Sequence, residues 1–148
     1  MNESAVMTLR LPKGVKRSVE RLAARFGHKP AQLGARLIEE GLRRRDFPQI
    51  DLRETAAGRV AYVAGTRFAV YWVAGMVPGR MAAEDFAKEY ELPVERIWAA
   101  LAYAEAFAGE IESDRAHGKA NRKWIERQDA AAQSPKRANG KGRGKAAR

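Results

Sequence analysis

Catalysis needs reactive side chains that converge, and few residue types in this chain could supply them. The chain of 148 residues has two histidines, His28 and His117, and no cysteine. Without cysteine there are no thiol nucleophiles, disulfides or zinc–thiolate sites. The spacings H-x-x-x-H, C-x-x-C and G-x-S-x-G do not occur. The stretch GKGRGKA lacks P-loop spacing and follows no strand, and HGKA has Ser113 where that motif needs its first glycine. Carboxylates mostly interleave with bases along helical stretches, the pattern of a solvated face. The expectation is therefore no enzyme, no cofactor, no metal site and no small-molecule substrate. What remains is the chemistry of cations, with a formal charge of +10.

The distribution of that charge matters more than its size. Residues 133–148, QSPKRANGKGRGKAAR, hold six basic residues and no acid, which leaves +4 on the rest. Residues 132–148 therefore read as a disordered basic tail, too polar to bury a core. Such a tail is either a solvated end or a non-specific polyanion contact that weakens with salt. Elsewhere, 45% hydrophobic and 31% charged residues describe a soluble globular protein, and 8% aromatic content implies a mainly aliphatic core. No apolar run approaches the ~20 residues that span a bilayer. The first residues lack the apolar stretch of a secretory signal, so a cytoplasmic protein is expected and no membrane partner.

The elements that must position these cations begin with VMTLRL at 6–11. Met7, Leu9 and Leu11 alternate with Val6, Thr8 and Arg10, the period of a half-buried strand. Pro12 ends it, and Val15, Val19, Leu22, Ala23 and Phe26 then mark one stripe of a helix that Gly27 terminates. Pro30 suits the first turn of a second helix carrying Leu33, Leu37, Ile38 and Leu42, with Arg43, Arg44 and Arg45 in its last turn. A strand needs a neighbour for its backbone N–H and C=O groups, and none lies nearby in sequence. About forty residues also give too little interior for a core of their own. A second copy would cure both defects, by pairing the strands antiparallel about a two-fold axis and interlocking the helices.

This order of alternating strand, Pro12, basic helix, Gly27 and second helix over 6–44 resembles the ribbon-helix-helix DNA-binding domains. The resemblance implies a homodimer whose two-stranded ribbon enters the major groove of operator DNA. It assigns Val6, Thr8 and Arg10 to the base-facing side. Arg10 would pair with guanine O6 and N7, and Thr8 would donate or accept. Val6 departs from the usual polar residue and would touch a thymine methyl or no base. The start of the second helix, with His28 and Lys29, would bind the phosphate backbone. The plainer alternative for 6–44 is a dimerisation clip with a solvated basic face.

Residues 50–107 change character. Ile50 and Leu52 alternate with Asp51 and Arg53, TAAGR supplies a turn, and VAYVAG returns as a second strand of a hairpin. Gly65 and Thr66 read as a turn and cap for a helix with Val70, Val73 and Met76 on one face. Two further helices follow, over 81–90 and from Pro93 onward, the last with Val94, Ile97, Trp98, Leu101 and Phe107 inward. AGTRFAVYWV, DFAKEYELP and RIWAALAYAEAF together resemble the small helix-turn-helix domain, of an uncharacterised family, that follows a ribbon-helix-helix module in VapB-like antitoxins. With Glu84, Asp85, Glu89 and Glu91 opposing Arg59, Arg67, Arg80 and Arg96, this domain reads as a packing or partner-binding unit rather than a second DNA reader.

Residues 108–131 continue a helical pattern with Ile111, Trp124 and Ile125 nearly the only large apolar residues. Such an arm is either an anchor for a partner, or a helix whose Trp124 packs back on the second domain or the other protomer. The VapB-like resemblance implies a partner, a ribonuclease toxin of the PIN fold with a carboxylate cluster at its active site. Arg122, Lys123 or Arg127 would enter that cluster, while Ile111, Trp124 and Ile125 contribute apolar contact.

The expected architecture is mainly α with short β. Residues 1–47 form the ribbon-helix-helix domain, 48–107 the hairpin and helix-turn-helix domain, 108–131 the arm and 132–148 the tail. The expected function is a type II toxin–antitoxin antitoxin that represses its own operon and blocks a ribonuclease. The alternatives are a stand-alone ribbon-helix-helix transcriptional regulator or nucleoid-associated protein, or a scaffold that binds protein alone.

Overall fold

The computed structural model describes residues 3–56 and 58–133, the side chains of 121 and 124–133 excepted. The fold is mainly helical, with six helices and one two-stranded antiparallel sheet among the described residues. None of these helices is long and apolar enough to cross a membrane.

Local signals set most of the element ends. Helix α1 (Lys13–Phe26) starts after Pro12 and stops at Gly27, whose φ of 67° is left-handed. The His28 amide donates to the Ala23 carbonyl at 2.9 Å, closing the helix by the familiar glycine C-cap. Helix α2 (Pro30–Asp46) has proline in its first turn and three arginines in its last. Strands β1 (Ile50–Thr55) and β2 (Gly58–Val63) pair in register from Ile50 opposite Val63 to Thr55 opposite Gly58. Three short segments complete the second unit: α3 (Val70–Met76), α4 (Ala83–Glu89) and α5 (Val94–Ala106). Helix α6 (Ala108–Gln133) runs on for 26 residues, so DAAAQ belongs to it. At 1.5 Å per residue it is roughly 39 Å long.

The core is lopsided. Phe86, Ile97, Val63, Val70, Val73 and Tyr103 are its largest fully enclosed side chains, all after residue 50. Before Ile50, the buried apolar residues are Ala23 and Leu33. Val15, Phe26, Leu37, Ile38 and Leu42 lie on the surface of α1 and α2, together with Val6, Met7, Leu9 and Leu11 ahead of them. Residues 3–12 join no β-ladder with the described residues. The alternating segment thus has no companion strand among the described residues, and a strand exists only by pairing.

Three expectations need correction. Trp98 is not inward but 49% exposed, because the buried stripe of α5 is centred on Ile97, Ala100 and Tyr103. Thr66 does not cap α3, whose N-cap is Ala69. Its hydroxyl instead donates to the Val63 carbonyl and accepts from the Phe68 amide, fixing the turn after β2. Helix α4 is also shorter than 81–90, beginning at Ala83.

Candidate functional site

The basic surface of the N-terminal unit follows from α1 being amphipathic. Between Arg10 and Lys29 there are seven basic residues and one acid, Glu20. Arg10, Lys13, Lys16, Arg17, Arg21, Arg25, His28 and Lys29 are all exposed. Lys16 approaches Glu20 at 3.8 Å, an exposed pair that contributes little. Val6, Thr8 and Arg10 lie in the extended stretch ahead of α1, all exposed. His28 and Lys29 fall between the two helices, immediately before the first turn of α2. No side chain caps that turn. An uncapped helix start leaves first-turn amides without side-chain partners, and an anion is stabilised at such a position.

Beside this surface lies an apolar trough of about 720 Å³, walled by Val6, Met7, Leu9, Leu11, Val15 and Ile38 among others. Val6 is 97% and Met7 77% exposed. The trough is mainly apolar, with Lys16 and Glu20 at its lining, while Arg10, Arg17, Arg21 and Arg25 lie outside it. An exposed apolar area of this kind marks an association surface.

The second unit uses much of its charge internally. Arg59 Nε donates to Glu40 Oε1 at 2.6 Å, and its Nη2 pairs with the other oxygen of the same carboxylate. That two-pronged hydrogen bond is the main reason the Arg59 guanidinium holds its proton above the ordinary range, against the effect of burial. Arg96 Nη1 donates to the Ala64 carbonyl at 3.0 Å. Arg53 lies 4.6 Å from the Tyr62 ring centroid and donates to the Thr66 carbonyl. Two of the four arginines that argued for phosphate binding are therefore tied to protein groups. Glu84, Asp85 and Glu89 remain exposed on α4.

The arm has a docked root. Ile111 is 3% exposed and belongs to the core cluster, so it is a packing residue and not a partner contact as expected. One apolar residue in a polar helix marks either a partner contact or a docking point on its own domain, and spacing does not separate them. Gly118 packs under Tyr71 so closely that a Cβ would lie 2.7 Å from the Tyr71 hydroxyl oxygen. At Gly75, by contrast, a Cβ would make only ordinary contact with the Arg115 guanidinium, at 3.9 Å. The Asp114 carboxyl faces a small pocket with Tyr62, Tyr71 and His117, and its Oδ2 has no hydrogen-bond partner. Burial and the nearby Glu110 charge push that carboxyl up, with His117 opposing.

Arg122 and Lys123 are exposed beyond this root. The Arg122 charge acts on Tyr71, opposing the burial that raises the phenol. Trp124, Ile125 and Arg127 belong to the backbone of α6, but their side chains lie outside the described residues. The tail at 134–148 lies outside them altogether.

The histidines do not converge. His28 follows α1, whereas His117 is on α6 with its Nδ1 hydrogen-bonded to the Ser113 carbonyl at 2.8 Å. Among the described residues, no three His, Asp or Glu side chains come together as metal ligands.

The residue that sequence reasoning missed is Arg43. It is half-buried, unlike Arg44 and Arg45 beside it. Its Nη1 donates to Tyr103 Oη at 2.9 Å and to Glu110 Oε2 at 2.6 Å. Its Nη2 donates to Glu39. The guanidinium also lies 4.0 Å from the Phe107 ring centroid. Burial disfavours its charge, but the Glu110 and Tyr103 hydrogen bonds more than offset this and hold it above the ordinary arginine range. Burial and Glu110 push the Tyr103 phenol up to about 12. Three consecutive arginines at a helix end read as dipole partners, so no local signal distinguishes the first.

Comparison with known proteins adds one match. No curated protein and no solved structure matches the chain. Residues 46–104, from the end of α2 to the middle of the last turn of α5, match a family described as a protein of unknown function, DUF433.

Proposed function

We propose that the protein is a homodimeric antitoxin that binds operator DNA through its N-terminal unit and a ribonuclease toxin of the PIN fold through α6. One observation carries the reading. The first forty-odd residues form two good helices with almost no interior, beside an unpaired alternating segment and a continuous apolar trough. A second copy supplies both missing partners, a strand for 6–11 and helices for the bare face.

Pairing those segments antiparallel would turn Thr8 and Arg10, and Val6 out of the trough it borders in the single chain, to the side away from Met7, Leu9 and Leu11. Arg17, Arg21 and Arg25 of α1 lie outside the trough, and the uncapped start of α2 is set to bind a phosphate at each flank. The second unit, with Arg59 and Arg96 engaged and its α4 acidic, then acts as a spacer and partner-facing body. The exposed cations of α6 past Gly118 provide the groups that a carboxylate-lined nuclease site attracts.

The test of DNA reading is selection of a preferred duplex from a random library, followed by the Arg10→Ala variant. That substitution is expected to weaken the selected duplex by ~1–3 kcal/mol and to flatten preference at one base position per half-site. The dimer stays intact, because residue 10 faces away from the apolar trough. Unchanged affinity for every duplex would rule out Arg10 as a reader.

A further inference from the structure

We propose that Arg43 is a positioning residue, a latch that fixes the direction of α6 relative to α2 and hence to the N-terminal unit. Its guanidinium is the meeting point of three helices. It rises from α2, donates to Tyr103 on α5 and to Glu110 on α6, and covers the Phe107 ring between those two. Tyr103 Oη in turn donates to Glu110 Oε1 at 3.1 Å, so the three groups form a closed triangle. A planar fork with a stackable face makes all of these contacts at once, and a lysine ammonium does not.

The surroundings explain why a polar latch sets the angle. A cavity of about 240 Å³ separates α2 from the hairpin, bounded by Leu37, Gly41, Ile50 and Leu52. Apolar packing across this junction is therefore incomplete. Phe47 is the main bridge, edge-on to Tyr103 and Phe107 with centroids 5.2 and 6.0 Å away. The charged contacts span the gap on either side, Glu40 with Arg59 toward β2 and Arg43 toward α5 and α6. Loss of Arg43 should free the hinge angle while leaving the core in place, because that core runs from Ile50 onward and Tyr103 stays packed within it.

The latch lies within one chain and stands without the dimer. Its consequence rests on the proposed function. If α2 is shared between the dimer interface and the latch, two copies carry their arms at one fixed separation.

Because the chain has no cysteine, spin labels can be placed cleanly. Labels at the exposed positions Ala24→Cys on α1 and Lys119→Cys on α6 report the angle by double electron–electron resonance. Doubly labelled full-length chain is diluted in excess unlabelled chain, so that only the distance within one chain is read. A single narrow distance is expected. Arg43→Met should at least double its width, Arg43→Lys should not restore it, and the exposed control Arg45→Met should leave it unchanged. Tyr103→Phe and Glu110→Gln, which keep the packing, should each broaden it by a smaller amount. They decide the matter if Arg43→Met fails to fold. An unaltered width in the Arg43 variants, or equal broadening by Arg45→Met, overturns the latch. Chain labelled at Lys119→Cys alone then gives the separation of the two arms. If no such inter-chain distance exists while the first is narrow, the dimeric reading fails and the latch stands.

Discussion

Leu9→Glu is expected to dissociate the protein into single chains and to abolish operator binding, while the second unit stays folded. Leu9 lines the apolar trough together with Met7, Leu11, Val15 and Ile38. In a paired ribbon it would be enclosed between two sets of helices. Removing a buried leucine costs about 2–5 kcal/mol, and burying a carboxylate in its place adds to that. Two-fold symmetry places the change twice in each dimer. Association should weaken by a factor of at least about a thousand, equivalent to ~4 kcal/mol. Sedimentation velocity reads the dissociation, and far-ultraviolet circular dichroism with near-ultraviolet aromatic signal reads the folded remainder. The core of Phe86, Ile97, Val70 and Tyr103 does not involve residue 9, so its melting should persist. Thr8→Glu is the matched control. It lies on the other side of the alternating segment and should impair DNA binding without separating the chains.

The second large effect concerns α6. A chain that ends after Lys119 should fold, dimerise and bind operator DNA, yet lose all protection against the ribonuclease. The cut lies one residue past Gly118, where the helix packs against Tyr71, and so retains Ile111 in the core and the Arg43–Glu110 contact. It removes Arg122, Lys123, Trp124, Ile125 and Arg127. Tryptophan and arginine at interface centres are each worth about 2 kcal/mol or more. Loss of the group should therefore reduce affinity by at least ~1,000-fold. The readout is survival on co-expression with the host ribonuclease that co-purifies with full-length chain. Continued protection by the shortened chain would remove the arm from the inhibitory role and point to the body of the second unit instead.

The sequence was informative wherever a local rule sufficed. Pro12, Gly27, Pro30 and Pro93 bracket α1, α2 and α5 because fixed φ, a missing amide and a left-handed cap act within a few residues. The hairpin was equally legible, since its alternation and turn are adjacent in the chain. Properties that depend on residues far apart were not. Arg43 meets partners 60 and 67 positions away, and its two arginine neighbours share its local signature but none of its burial. Ile111 gave the same signal whether it served a partner or its own domain. A glycine within a helix costs about 1 kcal/mol relative to alanine, and Gly118 carries that local cost. Its role is set by the Tyr71 ring on another helix. Trp98 was misplaced because the apolar stripe of α5 is broad, and its centre is fixed by what the helix packs against.

The candidate DNA surface was legible for a different reason. Alternation in 6–11, cations along α1 and proline at the start of α2 are local features, and the structure leaves all of them exposed. The helix lengths alone do not indicate a dimer. The indication comes from the contrast between a well-filled second unit and a first unit with two buried apolar residues. A polar surface on that first unit would have made it an ordinary appendage. Its hydrocarbon face makes a solitary chain costly, at roughly 25 cal/mol for each Å² left in water.

Sedimentation equilibrium on the full-length protein, without DNA or any other partner, tests this most directly. The expected mass is twice the 16.4 kDa of one chain across the micromolar range, with association lost in Leu9→Glu. A stable, folded species at 16.4 kDa under the same conditions would contradict the dimer, because the segment 6–11 would then have no companion and the trough no cover.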